Sequence, residues 1–160
     1  MSNLKLYIDT SLIYEPIRRM LVNEKPFETE FTDFLIGHPE IERTISIFTV
    51  AEIVENLLFR EKRILEYKRN IDAILTLVKV IQNTYSIDVI EYEIKDGQKG
   101  FFVLSDLIAL TGKLGNIKDA IHVCIAKHEN LMLVSHEDKF GVVKDIYKNI
   151  ATDRQLFKGV

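Results

Sequence analysis

Acidic residues stand where apolar, strand-like segments hand over to helix-like ones, and their chemistry is that of a divalent-cation site. Asp9 follows Leu6-Tyr7-Ile8. Glu52 comes shortly after Ile45-Ser46-Ile47-Phe48-Thr49. Asp119 opens Asp119-Ala120-Ile121-His122-Val123, and Glu137-Asp138 follow Leu131-Met132-Leu133-Val134-Ser135-His136. In a parallel α/β fold such handover points gather at the carboxyl edge of the sheet, where ligands bind. Carboxylates brought together there repel one another, and a divalent cation is the natural compensation. Hard oxygen donors suit Mg2+ or Mn2+ and not zinc. Such a centre points to a metal-dependent enzyme acting on phosphates: bound metal lowers the pKa of a water and neutralises transition-state charge. Asp9 is then the central ligand, and Asp119 and Glu137 (or Asp138) bind metal directly or through water. Glu52 completes the cage or orients the attacking water. No His or Lys base is required, and one metal or two fit equally.

Each acid also has an ordinary structural explanation. Thr49-Val50-Ala51-Glu52 has the spacing of a capping box with Thr49 as N-cap. Asn116-Ile117-Lys118-Asp119 and Ser135-His136-Glu137-Asp138 repeat that spacing, and Asp9 fits a plain N-cap. Asp119 differs from the rest because a helix, not a strand, precedes it. The cap and ligand readings are compatible, since a helix start fixes the direction of a carboxylate.

The elements that must position these acids alternate along the chain. Strands are expected at residues 4–8, 45–48, 86–92 and 131–135 from their β-branched and apolar content. Helical spacing is expected from Ile13 to Leu21, over 27–36 before Gly37-His38-Pro39, and over 50–59. A long helix is expected over 61–85, where Ile64, Tyr67, Ile71, Ile74, Val78, Ile81 and Tyr85 recur near a 3.6 period. A turn at Asp96-Gly97, a helix from Phe101 closed by Gly115, a helix over 116–127 and a short one over 142–147 complete the pattern. Alternation of this kind predicts an α/β fold with a parallel sheet between helices. Residues 1–160 read as one domain, with 151–160 as a loose tail or a small edge element.

Hydrophobic residues make up 47% and charged residues 28%, as in ordinary globular chains. A net charge of −3 argues against coating nucleic acid by bulk positive charge, though not against local contact. No apolar run has the length of a membrane span. Cys124 is the only cysteine, and the first residues lack a secretory pattern, so a reducing cytoplasm is expected. A Gly-rich nucleotide loop is absent. Asp9 is followed by Thr10-Ser11, where a dehalogenase-type phosphatase would have a second Asp. A phospho-receiver would have paired acids on the first strand.

The segments Leu6-Tyr7-Ile8-Asp9-Thr10-Ser11, Thr49-Val50-Ala51-Glu52, 118–126 (KDAIHVCIA) and 133–140 (LVSHEDKF), in this order, resemble a PIN-domain nuclease of the VapC toxin type. The resemblance covers nearly the whole chain and implies a PIN-like three-layer α/β/α fold with a central parallel sheet. It implies an acidic pocket holding Mg2+ or Mn2+ and single-stranded RNA as substrate. Asp9, Glu52 and Asp119 match family acids directly. At the place of Glu137 the family usually has Asp; here Glu stands there, with Asp138 beside it. Thr10 and Ser11 fit the family's hydroxyl beside the first Asp, and Ser135 fits a small hydroxyl near the last. A small antitoxin protein and a homodimer are the partners this kinship implies. The apolar spacing of Ile13, Ile17, Phe27, Phe31 and Phe34 in the first two helices suggests where a partner chain sits. The rival function is a non-catalytic PIN-like scaffold that binds RNA or protein.

Other residues read as structural first. His122 lies one turn after Asp119 and can face the site, but a partly buried structural histidine is the default. His136 reads as a loop residue and Cys124 as core. Arg60-Glu61-Lys62-Arg63 and Lys68-Arg69 form the densest basic region, with a solvated helix face as the default. Arg18 and Arg19 are candidates for a substrate path or an acidic partner.

Overall fold

The structure is a computed structural model and describes residues 4–91 and 103–159. Alternation in a short first strand sets its architecture. In β1 (Lys5–Ile8), Leu6 and Ile8 enter one buried cluster and Tyr7 enters another on the opposite face. β2 (Glu42–Ser46), β3 (Ile87–Ile90), β4 (Met132–Ser135) and β5 (Ile150–Thr152) run parallel to it, in the order β3-β2-β1-β4-β5. A sheet buried on both faces needs helices on both. The first face is covered by α1 (Thr10–Val22), α2 (Glu30–Gly37), α3 (Ile47–Glu55), α4 (Ile71–Tyr85) and α7 (Asp153–Gly159). The second is covered by α5 (Leu104–Leu114) and α6 (Ile117–His128). This is the expected three-layer α/β/α arrangement. Fully buried side chains such as Ile8, Ile17, Ile53 and Leu133 each contribute about 2 kcal/mol by leaving water.

Strand order decides where chemistry can sit. The chain builds from β1 outward to β2 and β3, then returns to the other side of β1 with β4 and β5. The switch point therefore lies between the carboxyl ends of β1 and β4, where Ile8 pairs with Val134. Asp9 and Ser135 are the next residues along each strand.

Several elements differ from expectation, each for a local reason. β2 spans residues 42–46 rather than 45–48, because Ser46 and Thr49 form a reciprocal capping box that starts α3 at Ile47. The long helix over 61–85 is only α4, from residue 71. Asn70 accepts from the backbone N–H groups of Asp72 and Ala73 and caps it there. Upstream, α3 runs into a π-helical turn, Asn56–Arg60, and a single 3-10 turn covers Glu66–Lys68. Arg69 holds this loop by donating to the carbonyls of Leu58, Glu61 and Ile64. The short helix over 142–147 is instead a 3-10 segment at Asp138–Val143. Residues 150–152 form the edge strand β5, and α7 buries Leu156 behind it. Gly115 closes α5 at φ 67°, a left-handed position that suits glycine. Tyr92, the Asp96-Gly97 turn and Phe101 lie outside the described residues. Among the described residues, no helix is long and apolar enough to cross a membrane.

Candidate active site

Asp9 occupies the N-cap position of α1, yet its side chain makes no capping hydrogen bond. Its Oδ2 accepts instead from Ser11 Oγ at 2.7 Å and from Ser135 Oγ at 2.8 Å. Both hydroxyls are themselves fixed from behind, Ser11 by the backbone N–H of His136 and Ser135 by that of Glu137. The carboxylate is 4% exposed and sits across the two strand ends of the switch point. Thr10, the other hydroxyl beside Asp9, is buried with Oγ1 3.5 Å from His122 Nε2.

Glu52 is not at a helix start. The Ser46–Thr49 box places it in the second turn of α3, so it caps nothing. Its Oε2 lies 3.1 Å from Nε2 of His122 on α6. Nδ1 of His122 is 2.7 Å from the Tyr7 hydroxyl, which is 2.7 Å from Ser46 Oγ. With the ring proton on Nε2, every group in the row Ser46, Tyr7, His122, Glu52 donates to the next. Burial works to raise the Glu52 pKa, but the His122 hydrogen bond and the charges of Lys118 and Lys139 outweigh it. The carboxyl is held below its ordinary range. Beside it lies a hollow of about 130 Å3 walled by Phe48, Ala51 and Ile121, with an ion pair of Glu55 and Lys118 at its edge.

Asp119 lies in the first turn of α6, but Asn116 caps that helix through Lys118 N–H. The Asp119 carboxylate is free to meet Lys139 Nζ at 3.0 Å, and Glu137 meets the same nitrogen at 2.8 Å. Burial, together with the charges of Asp9 and Glu52, raises the Asp119 pKa against the opposing pull of Lys139. Lys139 is raised to about 12; burial opposes its charge, and Glu137, Asp119 and Asp9 more than restore it. Glu137 makes no side-chain cap either. Asp138 is exposed and lines a separate hollow with Lys144 and Gln155. Electrostatics thus link Asp9, Glu52, Asp119 and Lys139, and Lys139 ties in Glu137. Among the described residues, no group of three or more His, Cys, Asp or Glu side chains is closed into a ready metal cage. The donor chemistry nevertheless fits a hard cation, because two carboxylates, buried Asp119 and exposed Glu137, already share one ammonium.

The remaining candidates are used elsewhere. His136 turns its Nδ1 to buried Asp153 at 2.8 Å, tying the β4 loop to α7. Arg18 is 2% exposed and pairs with Glu15 and Glu24. Arg19 pairs with Glu15 and donates to the carbonyls of Pro26 and Glu28. Arg60 pairs with Glu55 and Arg63 with Glu61, while Arg69 is spent on backbone carbonyls. Cys124 is buried, and burial pushes its thiol up to about 11. Lys139 had no place in the sequence reading of the site, and His122 only a bland one; both depend on contacts across the sheet edge.

The PIN domain family matches residues 6–146, and the chain belongs to that family. No curated protein matches it. Among solved structures, the 2.2 Å structure of VapBC-1 from nontypeable Haemophilus influenzae is similar, with a TM-score of 0.52 and 14% identity. That match covers 89% of this chain and 94% of the other, and at such identity it is a likeness of fold.

Proposed function

We propose that the chain is a metal-dependent endoribonuclease that hydrolyses phosphodiester bonds in single-stranded RNA, acting as the toxin of a toxin–antitoxin pair. The observation that carries this reading is that Asp9, Glu52 and Asp119 feel one another's charge, Lys139 joins Glu137 to Asp119, and none of the four caps a helix with its side chain. Membership of the PIN domain family supports it. Asp9, Glu52, Asp119 and Glu137 would hold Mg2+ or Mn2+. When bound, such an ion supplies an acidified water and neutralises charge on the reacting phosphate.

The chain's own residues set up that chemistry. Ser11 and Ser135 hold Asp9 at one orientation. His122 presents its Nε2 proton to Glu52 and keeps that carboxylate aimed and ionised, ready to orient a water. Tyr7 fixes the His122 tautomer from the opposite side. Phe48, Ala51 and Ile121 give the hollow beside Glu52 a largely apolar wall.

A small antitoxin, a homodimer and a cytoplasmic setting belong to the same proposal. Ile13, Ile17 and Phe31 are core residues, and Phe34 packs against the tilted ring of Phe157 of α7, so the first two helices do not offer these as a partner face. Exposed Phe59, Leu65, Tyr67 and Ile71 are the apolar surface a partner would cover.

One observation favours a second reading, a non-catalytic RNA- or protein-binding scaffold: Lys139 lies where a metal would share Asp119 and Glu137. A labelled single-stranded RNA panel with Mn2+ or Mg2+, an EDTA control and Asp9→Asn separates the two. Cleavage that needs both metal and Asp9 is expected. A folded protein that binds the panel without cutting it points to the scaffold.

A further inference from the structure

Lys139 is a cation set against two of the pocket acids, on a side chain that can leave them. Its Nζ sits 3.0 Å from Asp119 and 2.8 Å from Glu137, and the field of Asp9 also reaches it. Asp119 is buried, whereas the Lys139 side chain is 37% exposed and only rests against the Phe140 ring, 5.3 Å from its centroid. A flexible four-carbon stem at the surface can swing into solvent without breaking the core. The same two carboxylates otherwise stand together unneutralised, which costs folding free energy.

Given the metal-dependent reading of this pocket, we propose that the Lys139 ammonium is a built-in counter-cation that a divalent ion must displace from Asp119 and Glu137. It keeps the acids assembled when no metal is bound and sets a threshold concentration below which metal does not enter. The pocket is thereby stable empty and responsive to metal, and activity follows divalent-ion supply rather than saturating at trace levels. The side chain works as a positioning and competing charge, with no contact to substrate in its role.

The test uses metal-stripped full chain, with Mn2+ binding followed calorimetrically and melting followed in EDTA. Lys139→Met removes the competitor. It is expected to bind Mn2+ about tenfold more tightly, equivalent to ~1.4 kcal/mol, and to melt at a lower temperature in EDTA. Lys139→Arg keeps the charge and is expected to match the wild type in both. A second neutral variant, Lys139→Gln, repeats the measurement so that a folding defect in one does not decide it. Unchanged or weaker Mn2+ affinity in the neutral variants, with binding intact in the wild type, overturns the counter-cation role alone, because an ordinary structural ion pair behaves that way. No Mn2+ binding in any chain, wild type included, overturns the metal-dependent reading itself.

Discussion

Charged side chains are held in two different ways in this molecule. At the acidic pocket, Asp9, Glu52, Asp119 and Glu137 are held by side chains: Ser11 and Ser135, His122, and Lys139. Away from it, Arg43 and Arg69 are held by main chain. Arg43, 6% exposed on β2, donates to the carbonyls of Leu35, His38 and Tyr85, at the ends of α2 and α4. Arg69 does the same for the loop carbonyls of Leu58, Glu61 and Ile64. A guanidinium matched to helix-end and loop carbonyls gives each a charged donor beyond what the backbone supplies, and its loss removes all of those bonds at once. A carboxylate held by hydroxyls, an imidazole or an ammonium can exchange partners when a cation or substrate arrives. The first arrangement stabilises the fold, and the second leaves the pocket able to react.

If that contrast is right, the pocket can be disabled with the fold intact. Asp9→Asn is expected to lower metal-dependent RNA cleavage by at least about a thousandfold, ~4 kcal/mol of transition-state stabilisation. The urea midpoint should stay near that of the wild type. A large loss of stability would erase the distinction. Arg43→Met is the reverse case. Three carbonyls lose a charged donor, and unfolding in urea should show a loss of about 2–4 kcal/mol, with the residual folded protein still binding Mn2+.

His122 sharpens the comparison because it is buried like Arg43 yet faces the pocket. His122→Leu is expected to weaken Mn2+ affinity or kcat/KM by about 10- to 100-fold. His122→Gln, whose amide N–H can still reach Glu52, should recover part of it. Equal loss in both variants would mean that packing alone explains the residue.

The smallest effect concerns Glu61, a carboxylate with a structural role. Hydrogen bonds from the Arg63 side chain, and then from Tyr14 and the Arg63 backbone, outweigh burial and lower its pKa to about 2. Its folded pKa is depressed, so its contribution is complete above the unfolded value of 4.5 and is lost as pH falls towards about 2. Glu61→Gln should be less stable at neutral pH by roughly 1–2 kcal/mol, a figure reduced for the half-exposed Arg63 partner. The gap from the wild type should close in acid melts across that window.

Much of the architecture was legible because it depends on local pattern. Apolar runs ending at Asp9 and Ser135, the α6 stretch behind Asn116 and the Gly115 stop are written in neighbouring residues. The boundaries that failed were decided by contacts the pattern does not carry. Ile64 and Tyr67 continue a helical period into α4, but Arg69 folds that stretch back on its own carbonyls and Asn70 restarts the helix. Ser46 and Thr49 have capping spacing as good as Thr49 and Glu52, and taking the earlier pair moved Glu52 from the helix start to the pocket. β5 is three residues long, too short for a period-2 signal, and exists because β4 offers it an edge.

The sequence by itself determined the parallel α/β class, the acids at the strand ends and the resemblance to PIN nucleases, because each rests on residue type at short spacing. Tertiary structure alone decided which partner each acid keeps. Tyr7 lies 115 residues from His122, Glu52 lies 70 from it, and Ser135 lies 126 from Asp9. Lys139 reaches Asp119 from a different element. Such pairings arise only when strand order brings remote chain ends to one edge. Whether a carboxylate caps a helix or waits for a cation is then set by which donor lies nearest.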